Sequence, residues 1–132
     1  MKSIFQVPHG SENSRLVSVA AILKVLEGNK VNVLSISRER AKEHGRLSEP
    51  MYQAFGLKTQ YVGDLLKEDA DLLEEDCHIL YGSVQDFKRY EEESALGEKP
   101  SRPCEWAIFD GMDALYFDDI TTNELEVLPY WR

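Results

Sequence analysis

Two short stretches of the chain carry the residue types that phosphate and metal chemistry use. One is Val7-Pro8-His9-Gly10-Ser11-Glu12-Asn13-Ser14, between a strand-like run and a long apolar helix. A loop in that position binds phosphate when glycine lets backbone N–H groups approach, a Lys reaches the outer phosphates and a Ser or Thr holds Mg²⁺. Gly10 and Ser14 suit two of those roles. They also read as an ordinary turn followed by a helix N-cap. The other stretch is Asp110-Gly111-Met112-Asp113, at the end of the last clear strand-like run, where an acidic pair would hold a metal and activate water. Asp110 and Asp113 also read as solvated acids at a capped strand end. His9, His44 and His78 share no ligand spacing, so no histidine-based metal site is expected.

The elements that must position these stretches alternate between apolar runs and helical patterns, which marks a βαβ chain. Ile4–Val7 reads as a strand, and Ser14–Glu27 as a helix that is apolar almost all round and therefore expected to be buried. Gly28 is placed to stop it. Val31–Ile36 is a second strand. Arg38–Phe55 is a charged helix with Pro50 as a kink or break, ended by Gly56. Leu57–Val62 is a third strand, Asp64–Glu75 an acidic and partly helical connection, and His78–Tyr81 a fourth strand. Val84–Glu93 is helical. The stretch from Ser94 to Pro103, with Gly97 and Pro100, reads as an exposed loop. Trp106–Phe109 is a fifth strand. The expected fold is α/β: a five-stranded, mostly parallel sheet with helices on both faces. Ligands of such sheets bind beyond the C-terminal ends of the strands, where both stretches lie. One domain is expected over residues 1–120, followed by a tail over 121–132.

Bulk properties narrow the function. The chain has 132 residues, suited to one domain. Its 15 Lys+Arg against 24 Asp+Glu give a formal charge of −9. A protein that coats nucleic acid needs a basic face instead. Arg38, Arg40, Lys42, His44 and Arg46 make a local basic run, with Arg38 and Lys42 spaced to share a helix face. That run reads either as a solvated amphipathic helix or as a contact surface. Tyr130 and Trp131 are aromatics near the chain end, suited to packing over the sheet or to an interface. Cys77 and Cys104 lack CxxC partners and read as buried or neutral thiols in a reducing compartment. No signal peptide or membrane span is legible, so a cytoplasmic protein is expected.

The ordered blocks of the chain resemble the first nucleotide-binding domain of the SecA preprotein translocase motors. That family reads roughly M-x-T-G-E-G-K-T-L, then a long helix, then G-x-x-V-x-V-x-T-x-N. Here the same places hold Val7 to Arg15 and, without a gap, Gly28-Asn29-Lys30-Val31-Asn32-Val33-Leu34-Ser35-Ile36-Ser37. Pro50 to Leu57 resembles the family's P-L-x-x-F-L-G-L. Ile79 to Phe87 resembles its I-x-Y-G-T-N-N-E-F, and Trp106 to Leu115 its A-I-V-D-E-V-D-S-I. No single block is strong. Their order and spacing agree over nearly the whole chain.

The departures fall on the catalytic positions. Asn13 stands where the family has its phosphate-binding Lys, Glu12 where it has a glycine, and Gly111 where it has the water-activating Glu. Gly10, Ser14, Asp110 and Asp113 match. Glu12 brings negative charge toward a phosphate, and unit charges about 4 Å apart interact by roughly 4 kcal/mol at an effective dielectric near 20. Positioning and charge stabilisation supply nearly all of phosphoryl-transfer catalysis. The resemblance therefore implies a three-layer, RecA-like (P-loop NTPase) fold with degenerate Walker A and Walker B motifs, a pseudo-ATPase with no catalytic residue. A vestigial nucleotide site would consist of Gly10, Ser11, Glu12, Asn13 and Ser14, with vestigial Mg²⁺ positions at Ser14, Asp110 and Asp113. No cofactor is expected, weak ATP or ADP with Mg²⁺ being the alternative. The expected role is a protein-interaction or structural module in protein transport, partnered by another protein or another domain of the same chain, with Arg38, Arg40, Lys42, Arg46, Tyr130 and Trp131 as contact candidates. The alternative is a divergent ATP-binding motor lobe that hydrolyses ATP once a second RecA-like lobe closes over it. Nucleic acid is not an expected partner.

Overall fold

The computed structural model describes residues 3–7, 13–66, 73, 76–99 and 105–110. Strands β1 (Ser3–Val7), β2 (Val31–Ser35), β3 (Thr59–Tyr61), β4 (Ile79–Ser83) and β5 (Trp106–Asp110) alternate with helices α1 (Asn13–Leu26), α2 (Arg38–Ala54), α3 (Val62–Leu65) and α4 (Val84–Ala95). The strands form one sheet in the order β1-β5-β2-β4-β3, and every pairing is parallel.

Side chains alternate across the sheet with the period of two that a strand imposes. Val31, Val33, Ile79, Tyr81 and Ile108 pack on one face with Val17, Ala21 and Ile22 of α1 and Tyr52 of α2. Leu34, Leu80, Ala107 and Phe109 pack on the other with Leu65 of α3 and Val84, Phe87 and Tyr90 of α4. Both faces of the central strands are thus covered, as parallel sheets require. Each fully buried large aliphatic side chain contributes roughly 1.5–3 kcal/mol. α1 and α2 follow strands that step one way across the sheet, and α3 and α4 follow the return, so right-handed crossovers place the two pairs on opposite faces.

Local chemistry sets the helix ends. Ser37 caps α2 by accepting from the Arg40 N–H at 3.1 Å, and Ser83 caps α4 by accepting from the Asp86 N–H at 3.0 Å. Gly28 follows α1 at φ 97°, where the Asn29 N–H reaches back to the Lys24 carbonyl at 3.0 Å. Gly82 is needed for a different reason. A Cβ there would overlap Val62 and come within 3.0 Å of the Phe87 ring.

Three sequence expectations are corrected. α1 is not buried all round: Val17, Ala21 and Ile22 face the sheet, but Leu16, Val19, Leu23 and Leu26 are 47–60% exposed. A helix can press only one face on a sheet, and no described element covers the other. Pro50 does not break α2, which runs through it to Ala54. Pro50 lies exposed, on the side where the carbonyl that its missing N–H releases is open to solvation. The third strand is only three residues long, because Val62 already begins α3.

Candidate functional site

Parallel strands end together, so the C-terminal residues of β1, β5, β2 and β4 form one row. Val7 stands in register with Asp110, Asp110 with Ser35, and Ser35 with Ser83. The two chemically suggestive stretches therefore begin side by side, after Val7 and after Asp110. Asn13 and Ser14 open α1. Gly10, Ser11, Glu12, Gly111 and Asp113 lie outside the described residues, as do Tyr130, Trp131 and the whole expected tail.

Asp110 is not a solvated strand-end acid. It is fully buried, and its Oδ2 meets Nδ1 of His44, which α2 projects across from the neighbouring layer. Among the described residues its Oδ1 has no hydrogen-bond partner, nor has the buried hydroxyl of Ser35, its register partner on β2. Both side chains lie on the α1/α2 face of the sheet, by the same alternation that puts Val33 and Ile108 there.

Further along α2 the polar seam continues. His44, Ser48 and Tyr52 are four residues apart and share one helix face. Ser18 of α1 donates to the Ser48 Oγ at 2.5 Å, and the Tyr52 and Tyr81 hydroxyls lie 2.6 Å apart, all within the core. Burial pushes the Tyr52 phenol above its usual range, against the opposing effect of the Tyr81 hydrogen bond. Burial, then the neighbouring Tyr52, pushes Tyr81 well up. The charge of Asp110 raises both. Both phenols therefore stay protonated at neutral pH and act as a neutral hydrogen-bonded pair.

The basic run does not form a free cationic surface. Arg38 Nε and Nη2 donate to Asp86 Oδ2 and Oδ1 at 2.9 and 2.8 Å, a bidentate pair, and Asp86 raises the Arg38 pKa through that hydrogen bond and its charge. Gly63 lies directly beneath: a Cβ there would sit 2.9 Å from Arg38 Nε and 3.2 Å from Asp86 Oδ2. Lys42 reaches Asp64 at 3.0 Å. Arg38 and Lys42 do share a face, and both are committed to acids of α4 and α3. Arg40 has a buried Nε without a partner among the described residues, and Arg46 is exposed. On α1, the exposed Leu23 borders a pocket of about 310 Å³ whose floor is Trp106 and Ile108 of β5.

Sequence reasoning missed the role of His44, which has no ligand spacing and whose neighbour in the chain, Glu43, is not the acid it meets. The one available signal was its place four and eight residues before Ser48 and Tyr52. Among the described residues no group of three or more His, Cys, Asp or Glu is arranged to hold a metal, and no helix is long and apolar enough to cross a membrane.

An open α/β sheet with its candidate site along the carboxyl ends of the strands is one class of protein; comparison with known proteins narrows it. Along most of its length the chain is similar to part of protein translocase subunit SecA. It is 28% identical over 116 residues to that of Treponema denticola, covering 84% of this chain and 13% of the relative. It is 26% identical over 123 residues to that of Nitrosococcus oceani, and 24% identical over 124 residues to protein translocase subunit SecA 2 of Bacillus cereus. These matches support a SecA-related fragment. The chain spans 13–16% of the length of these relatives. No protein-family model and no solved structure matches it.

Proposed function

We propose that this chain is a degenerate nucleotide-binding lobe of the SecA type, RecA-like in fold, that no longer hydrolyses ATP and serves protein transport as a protein-interaction or structural module within a larger polypeptide. One observation carries this reading. Val7 and Asp110 end in register, which supports a shared site for the stretches that follow them in sequence, where Asn13 and Gly111 stand in place of the cation and the base that phosphoryl transfer needs. Glu12 adds an acid to the same loop. The interaction role draws support from α1, where Leu16, Val19, Leu23 and Leu26 line one outward face. Exposed apolar patches of that kind mark contacts with protein.

The test is phosphate release from ATP with Mg²⁺ by the full chain, alone and with unfolded polypeptide. No release above buffer is expected, and steady turnover ends the proposal. The small share of each relative that the chain covers favours a second reading, an ATPase lobe completed by a partner lobe elsewhere. Turnover that appears only when the chain is joined to its flanking sequence, and vanishes with Asp110→Asn, would select it.

A further inference from the structure

The pair His44–Asp110 is a buried acid contact at the strand ends that the proposed function leaves without a role. A motor of the kind this chain resembles holds Mg²⁺ beside the acid at the end of its last strand. Magnesium demands near-octahedral oxygen ligands, several of them water, and so needs a carboxylate oxygen open to solvent. Asp110 offers none: its side chain is fully buried, and its Oδ2 is already against the His44 ring nitrogen. Among the described residues its other oxygen has no partner, nor has the buried hydroxyl of Ser35, which stands in register with it, and no described group supplies a third metal-ligating side chain. The described residues do not fit the metal.

A carboxylate taken out of water still needs a partner, because an uncompensated buried acid is strongly destabilising. We infer that His44 is that partner, standing in the place beside Asp110 that a divalent cation would take. Asp110 is then a structural anchor that ties α2 to the end of β5. α2 is suited to it, since the same face carries Ser48 and Tyr52, each hydrogen-bonded inward to α1 or β4. The inference rests on the non-hydrolysing reading and deepens it: the metal position is filled by the protein, and the fold no longer depends on nucleotide or cation.

The experiment uses the full chain and four variants, His44→Ala, His44→Gln, Asp110→Asn and the double His44→Ala/Asp110→Asn. Thermal melts are recorded with and without millimolar Mg²⁺, and Mn²⁺ binding is read from the electron-spin resonance of the free ion. The wild type should neither gain thermal stability from Mg²⁺ nor remove free Mn²⁺. His44→Ala should lower Tm by about 5 °C or more, His44→Gln, which keeps a donor, by less, and the double variant by no more than the worse single one. Should His44→Ala fail to fold, His44→Gln and the wild-type Mn²⁺ titration decide. Mn²⁺ bound by the wild type and lost in Asp110→Asn would overturn the inference, as would His44 variants that melt with the wild type. Those outcomes are separate from ATP turnover, whose appearance would remove the non-hydrolysing reading itself.

Discussion

Removing either partner of the Arg38–Asp86 pair should destabilise the fold unequally, and the structure says in which order. The Arg38 side chain is 46% exposed and that of Asp86 only 10%. Asp86→Ala frees a guanidinium that water can take over, so the loss is two solvent-accessible charge-assisted hydrogen bonds plus a small favourable charge in the first turn of α4, about 1–2 kcal/mol. Arg38→Ala instead strands a nearly buried carboxylate against the Gly63 backbone, a cost of about 3 kcal/mol. The double variant removes both charges and should cost no more than Arg38→Ala, giving a coupling energy of about 1–2 kcal/mol. Urea unfolding followed by Trp106 fluorescence and far-ultraviolet dichroism would show this, with m unchanged. If Asp86→Ala were as costly as Arg38→Ala, or if the two losses simply added, the exposure argument would be wrong.

Two further outcomes follow from the core. Tyr52 and Tyr81 have folded-state pKa values above the ordinary phenol, so their contribution to stability is complete below about pH 10. As pH rises past that value the unfolded chain ionises first and stability falls until the folded pKa is reached. Equilibrium unfolding across alkaline pH should show that decline, shallower in Tyr81→Phe; an unchanged slope would contradict it. Gly82→Ala pushes a methyl into Val62 and Phe87 and should cost about 1–3 kcal/mol by thermal melt. A neutral Gly82→Ala would mean that α3 and α4 shift at no cost.

Much of the fold was legible in the sequence because local signals agreed. Gly28 and Gly56 mark the ends of α1 and α2, and the apolar runs at Val31, Ile79 and Trp106 mark the three central strands. That Val7 and Asp110, the residues just before both stretches, end side by side followed from parallel topology alone. Exposure of Leu16, Val19, Leu23 and Leu26 was not legible, since an all-apolar helix does not say which neighbours exist to cover it. Pro50 misled because its rule assumes a buried helix with no water to receive the released carbonyl. His44 and Asp110 are 66 residues apart, and only the crossing of α2 over the end of β5 brings them together. The pairing of Arg38 with Asp86 was equally hidden, for all that both residues were visible as charges.

The most direct measurement is an isothermal titration of the full chain with ATP and Mg²⁺. With the loop Lys absent and Glu12 in its neighbourhood, a single unfavourable charge contact of roughly 4 kcal/mol weakens binding about a thousandfold. No heat beyond dilution is therefore expected up to millimolar ATP. Saturable heat at micromolar ATP, abolished by Asp110→Asn, would show that the strand-end acid still works as a ligand and that the nucleotide site was never lost.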